Sequence, residues 1–208
     1  EKIRGFAGND SIYAGSGNNV LIGDEGDDIL RSSSGVDLIQ GGKGNDSLEG
    51  GSGNDNYHFR LGDGQDIIDD KGSTYNREDK IQFGPGITQE MLTFSAVNNG
   101  TGFVDLVIKV DGTDDQITIV KQYDPDLITN NTIDQFEFSD GSILTSEQVV
   151  EILKTYTGQG SNLSEVLYGN VLDNTIYAGG GDDTVYALAG NDEVYGESGH
   201  DLLDGGSG

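Results

Sequence analysis

From Gly5 the chain falls into blocks of nine residues that share three columns: GFAGNDSIY, AGSGNNVLI, GDEGDDILR, SSSGVDLIQ, GGKGNDSLE and GGSGNDNYH. Place four is always glycine: Gly8, Gly17, Gly26, Gly35, Gly44 and Gly53. Place six is Asp10, Asn19, Asp28, Asp37, Asp46 and Asp55, and place eight is Ile12, Leu21, Leu30, Ile39, Leu48 and Tyr57. A second array from Gly169 reads GNVLDNTIY, AGGGDDTVY, ALAGNDEVY and GESGHDLLD, behind a weaker block, GSNLSEVLY, from Gly160. A repeat this regular dominates every other signal, because each unit must bury its apolar face against its neighbours.

One apolar residue in nine cannot form the stripe of a helix, which needs about three per two turns. It suits a three-residue strand with a single inward side chain. The glycine-rich half of each block must turn sharply, and glycine adopts the left-handed conformations such turns need. Two turns and two strands then complete a coil every 18 residues. The apolar column forms a thin core between two parallel sheets, with Asp10, Asp28 and Asp46 along one edge and Asn19, Asp37 and Asp55 along the other. Two carboxylates about 4 Å apart repel by roughly 4 kcal/mol at an effective dielectric near 20. A cation between successive turns reverses that sign. With only carboxylate and carbonyl oxygens in flexible turns, Ca²⁺ suits the ligand set better than Mg²⁺, and a typical Zn²⁺ site is excluded.

Composition agrees. The 208 residues carry 37 acidic against 11 basic side chains, a net charge of -26, with 34 glycines and 33% hydrophobic residues. Such a chain lacks the apolar content to fold unaided. The charge also makes nucleic acid and anionic lipid poor partners. No apolar run spans a bilayer, so no membrane insertion is expected, and no secretory leader opens the chain. Absent cysteine removes disulfides and thiolate metal sites. Glycine is concentrated in residues 1–70 and 158–208, with 15 and 12 against 7 in the middle, whereas charge is spread evenly.

The blocks are similar to the calcium-binding nonapeptide of the RTX (repeats-in-toxin) family, G-G-x-G-x-D-x-U-x, where U is a large apolar residue. Residues 41–70 resemble the end of an RTX roll, with Tyr57, Phe59, Gly62, Gly64, Asp66 and Ile68 on its closing pattern. The stretches Asp79–Ile87, Asp105–Ile108 and Ile133–Gly141 resemble the haemolysin-type calcium-binding related region found between RTX arrays in large secreted cytolysins and iron-regulated RTX proteins.

The resemblance implies how ligands are shared. An upstream turn gives the carbonyls of places two and four and the carboxylate of place six. The turn 18 residues on gives the carbonyls of places one and three and its own carboxylate. One site then takes Asp24, Gly26 and Asp28 with Gly41, Lys43 and Asp46. A second takes Phe6, Gly8 and Asp10 with Gly23, Glu25 and Asp28. On the other edge Ser33, Gly35 and Asp37 meet Gly50, Ser52 and Asp55, and in the second array Gly179, Gly181 and Asp183 meet Gly196, Ser198 and Asp201. The same rule gives Gly15, Gly17 and Asn19 with Ser32, Ser34 and Asp37, and Gly42, Gly44 and Asp46 with Asp66. It also gives Gly51 and Gly53 beside Asp55, and Asn174 with Ala187, Ala189 and Asp192. Neutral Asn19 and Asn174 predict weaker sites. Leu163 and Glu165 predict a metal-free or distorted turn. The implied complement is about eight to ten Ca²⁺.

The expected fold is all-β: parallel β-rolls at 1–70 and 158–208, separated by a mostly antiparallel β region at 71–157. Alternation there predicts five antiparallel strands around Lys80–Phe83, Leu92–Phe94, Leu106–Val110, Gln116–Val120 and Phe136–Phe138. One helix is predicted over 146–156, with Thr145 and Gln148 as a capping box. The region is read as a cap on the first roll, with binding of a host-cell or surface ligand as the sharper alternative. Both ends interrupt a repeat, so a fragment of a longer array is expected, monomeric in isolation.

No catalytic constellation appears. His58 and His200 stand alone, the serines lie in repeat turns, and Asp27-Asp28 and Asp182-Asp183 each place one member in the ligand column. Tyr13, Tyr177, Tyr186 and Tyr195 occupy place nine as outward rungs or a partner surface. The reading is a non-enzymatic, extracellular calcium-binding module of a secreted toxin-like protein, exported by a type I secretion apparatus and folded by calcium outside the cell. The alternatives are an accessory domain of a secreted protease, lipase or epimerase, and an adhesin segment.

Overall fold

The computed structural model describes residues 1–71, 78–98, 103–123, 133–154 and 157–208. The short strands predicted from the repeat are present and parallel. In one sheet Lys2–Ala7, Val20–Glu25, Leu38–Lys43 and Asn56–Phe59 follow one another, with Val20 beside Leu38 and Leu38 beside Asn56. In the other, Ser11–Tyr13, Ile29–Arg31, Ser47–Glu49 and Gln65–Ile68 do the same. The 18-residue offset puts each inward side chain on the one below it: Ile12, Leu21, Leu30, Ile39, Leu48 and Tyr57 are all buried.

Place four requires glycine for two reasons. Gly26 has φ +128°, in the left-handed region, and a Cβ there would overlap the carbonyl of Gly8 one coil earlier. Place two is left-handed in most repeats, and there the sequence is less obliging: Phe6, Asp24, Leu188 and Glu197 adopt φ of 77°, 84°, 77° and 60° without being glycine.

The middle region corrects the expectation of five antiparallel strands. Three form an antiparallel meander: Leu92–Asn98, Val104–Val110 and Gln116–Tyr123. Lys80–Phe83 instead pairs parallel with Asn56–Phe59, and Gln135–Glu137 parallel with Lys80–Phe83. Gln116–Tyr123 lies parallel to Gln65–Ile68. Both roll sheets therefore run on into the middle, each reaching seven strands, the first closed by antiparallel Ile143–Thr145. The physical reason is the open edge of the last coil, whose unpaired N–H and C=O groups the next strands satisfy. One apolar cluster runs from Ile12 through Phe83, Ile117 and Phe136 to Leu153.

The helix spans Ser146–Lys154; positions 155–156 of its predicted range lie outside the described residues. Its capping box is formed: Gln148 N–H donates to Thr145 Oγ1 at 3.3 Å, and Thr145 N–H donates to Gln148 Oε1 at 2.8 Å. The second array forms two three-stranded parallel sheets: Thr157–Gln159, Thr175–Tyr177 and Glu193–Tyr195, and Val166–Tyr168, Thr184–Tyr186 and Leu202–Asp204. Among the described residues its buried apolar core is Ile176, Ala178, Val185 and Ala187. The place-nine tyrosines alternate between these sheets, so three in succession share no face. Tyr177 stacks on Tyr195 at 4.8 Å, and Tyr186 on Tyr168 at 5.4 Å.

Candidate metal centre

The place-six side chains line the two edges of the first roll as ladders. Along one, the amide N–H of Asp10 donates to Asp28 Oδ1 at 2.7 Å, that of Asp28 to Asp46 Oδ1 at 2.7 Å, and that of Asp46 to Asp66 Oδ1 at 3.0 Å. Along the other, Asn19 donates to Asp37 at 2.6 Å, Asp37 to Asp55 at 2.8 Å and Asp55 to Asp79 at 2.7 Å. In the second array Asp183 donates to Asp201 at 3.0 Å and Asn174 to Asp192 at 2.9 Å. Each carboxylate thus spends Oδ1 on the coil before it.

Its other oxygen is left over. Oδ2 of Asp10, Asp28, Asp37, Asp46, Asp66, Asp183 and Asp192 is buried and accepts no hydrogen bond. A buried, unmatched carboxylate oxygen is expensive, and here it recurs in register. The surroundings match it with further oxygens. A Cβ added to Gly23 would overlap both Asp28 Oδ2 and the Gly41 carbonyl, and one on Gly5 would crowd Asp10 Oδ2 and the Gly23 carbonyl. Asp28 with Gly41, and Asp10 with Gly23, are pairs that the repeat rule put in one site.

Metal-free, these groups cannot all ionise comfortably. Burial pushes Asp66 up to about 8 and Asp46 up to about 6, each against a stabilising amide hydrogen bond and with neighbouring carboxylates adding to the rise. Burial also raises Asp28. A donor set of carboxylate and carbonyl oxygens, with an orphaned oxygen at each of these seven Asp residues, fits a hard divalent cation.

Other assigned ligands have structural duties. The carbonyls of Glu25, Ser34 and Lys43 accept the N–H groups of Gly8, Gly17 and Gly26 at 2.8, 2.6 and 2.8 Å. The carbonyls of Ser33, Gly179 and Ser198 are likewise engaged by Ser52, Ser198 and Gly181 at 2.8, 2.9 and 2.9 Å. A carbonyl has two lone pairs, and that of Gly179 also accepts Ser198 Oγ at 3.5 Å. The side chains of Glu25 and Lys43 pair with each other in solvent at 3.1 Å, so only main-chain oxygen faces the turn from these places. Ala187 brings its carbonyl beside Gly169 and Asn174 Oδ1.

Three turns departing from Asp differ. Asn19 donates Nδ2 to the carbonyls of Gly17 and Gly15 at 2.6 and 3.1 Å. Glu165 folds onto its own turn, accepting from Ser161 N–H at 2.6 Å and Ser161 Oγ at 2.9 Å. Asn174 accepts Asn170 N–H at 2.7 Å and donates to Asn170 Oδ1 at 2.9 Å.

The ladders also recruit residues the repeat did not flag. Asp79 N–H donates to Asp134 Oδ2 at 2.8 Å, so the second edge continues into the middle region. Asp115 accepts the N–H groups of Gly62 and Gly64 at 2.8 and 3.1 Å. Buried Asp55, Asp70 and Asp79 each bring a carboxylate oxygen within 4.8 Å of the others. The missed signal was a shorter motif, D-x-U, which outlives the glycines in Asp79-Lys80-Ile81, Asp115-Gln116-Ile117 and Asp134-Gln135-Phe136. Place five is a second ladder: Asn45 N–H donates to Asp27 Oδ1 at 2.9 Å, and Asp27 N–H to Asn9 Oδ1 at 3.0 Å. His200 stands in the corresponding ladder of the second array, donating its amide to Asp182 at 2.9 Å.

Comparison with known proteins follows the same division. The RTX calcium-binding nonapeptide repeat matches in four copies, at residues 4–39, 31–68, 159–194 and 177–208. The haemolysin-type calcium binding protein related domain matches residues 105–148. The iron-regulated protein FrpA of Neisseria meningitidis serogroup C is 35% identical over 117 residues, covering 56% of this chain and 10% of that protein. The crystal structure of extracellular lipase LipA from Serratia marcescens aligns at 18% identity with a TM-score of 0.20, over 96% of this chain and 26% of that one.

Proposed function

This chain belongs to the RTX calcium-binding nonapeptide repeat family, and on that premise we propose that it is a calcium-triggered folding module of a much longer secreted protein. The supporting observation is the register of buried Oδ2 atoms without hydrogen bonds at Asp10, Asp28, Asp37, Asp46, Asp66, Asp183 and Asp192. At each such turn pair, Oδ2 of one Asp, the place-one carbonyl of the next coil and the next Asp would hold the ion. Calcium there supplies positive charge where the fold has stacked carboxylates, so its binding free energy becomes folding free energy.

Where calcium is scarce, a chain of net charge -26 stays expanded and can thread a type I secretion channel. Outside the cell calcium closes the turns and the sheets stack. About eight to ten ions would offset much of the charge. The middle region is proposed to cap the first roll, since its strands occupy the last coil's open edges on both sheets. The chain itself carries no catalytic role in this reading. Far-ultraviolet circular dichroism in EDTA and then in millimolar Ca²⁺ tests it: a disordered spectrum turning to β on calcium addition is expected. A β spectrum that persists unchanged in EDTA would overturn the proposal.

A further inference from the structure

The turn at residues 14–19 closes itself. Its place-six residue is 5% exposed, and its Nδ2 donates to three oxygens: the carbonyl of Gly17 at 2.6 Å, the carbonyl of Gly15 at 3.1 Å and Ser32 Oγ at 3.3 Å. Gly15 and Gly17 are the place-two and place-four carbonyls of this turn, and Ser32 opens the turn one coil on. At Asp28, Asp37 and Asp46 the corresponding position is an oxygen with no hydrogen bond. Nδ2 has two protons to give and no lone pair to share, so it satisfies these oxygens in the way a cation does, and with Nδ2 rather than Oδ1 turned toward them the side chain offers no ligand there. The outer half of the turn is unaffected: the Asn19 amide still donates to Asp37 Oδ1 at 2.6 Å, as the Asp turns do.

We propose that the Asn19 side-chain amide takes the place of a calcium ion, so that the turn pair 14–19 and 32–37 binds no metal and is held by protein alone. The roll then contains one coil junction whose closure does not wait for calcium, next to junctions on the other edge that do. Asp37 serves a cation only toward Asp55, and the calcium complement falls by one from what the repeat count gives.

The inference rests on the calcium reading of the Asp turns, and the test separates the two. Bound calcium is counted by native mass spectrometry and by titration calorimetry for the whole chain, for Asn19→Ala and for Asn19→Asp. Asn19→Ala is expected to keep the wild-type count while shifting the calcium midpoint for folding to higher concentration, about two- to tenfold. Asn19→Asp is expected to bind one more ion than the wild type. Loss of one ion in Asn19→Ala makes Asn19 a ligand and overturns the proposal, as does a count in Asn19→Asp equal to wild type. A wild-type chain that binds no calcium overturns the calcium reading itself, and this inference with it.

Discussion

Asp28 has a double position that few residues in the chain share. Its Oδ1 accepts the amide of Asp10, and its own amide donates to Asp46, so the residue links two of the three coil junctions on that edge. Asp28→Ala leaves the Asp10 amide without its acceptor, a cost of about 1–3 kcal/mol, and removes an oxygen from the two cation sites proposed for it. It should lower the calcium count and the calcium-loaded melting temperature more than Asp10→Ala, which touches one junction; calorimetric titration of both variants checks the order. The left-handed place-two residues give an opposite case. Glu197 is exposed and holds φ 60°, a conformation costing a non-glycine residue roughly 1 kcal/mol. Glu197→Gly should therefore raise the calcium-loaded stability by about that amount in thermal unfolding, and a fall would show that its side chain does something the backbone geometry does not reveal.

At the level of the turn and its strand, protons and calcium compete. Asp66 stands near 8 and Asp46 near 6 in the metal-free fold, both above the ordinary value of 3.8, because burial disfavours the charged form. A carboxyl raised on folding is protonated in the folded state where the unfolded chain is ionised. Its stabilisation is present in full below the ordinary carboxylate range and is lost as pH rises through about 6 for Asp46 and about 8 for Asp66. In EDTA the chain should hold more β structure near pH 5 than near pH 9, by circular dichroism, and calcium uptake near pH 7 should release protons, seen as a buffer-dependent binding enthalpy. Equal spectra at both pH values would remove these carboxyls from the balance. The repeat made this element legible: glycine at place four, Asp at six and an apolar residue at eight specify turn, ladder and core. The same element was harder to see in the middle region, where Asp79, Asp115 and Asp134 keep D-x-U but lose the glycine columns and the 18-residue spacing.

Across the whole molecule the two arrays stand on unequal cores. The first shares one apolar cluster with the middle region, from Ile12 to Leu153, whereas the second's apolar cluster, among the described residues, buries Ile176, Ala178, Val185 and Ala187. One inward side chain per repeat returns about 1.5–3 kcal/mol, far less than ordering nine residues costs, so the array with less borrowed core depends more on its ions. Hydrogen exchange during a calcium titration should show amides of 175–204 losing protection at calcium concentrations that still protect 20–68; simultaneous loss would mean the two fold as one unit. The sequence by itself determined the parallel coils, the two acidic edges, the inward column and the helix cap, because each follows from periodicity and local hydrogen bonding. Only the tertiary structure decided that the middle region extends both roll sheets, that its carboxylates continue the ladders, and that Asn19 closes its own turn. Those depend on which groups the last coil leaves unpaired and on which oxygens gather around one atom, and a linear pattern carries neither.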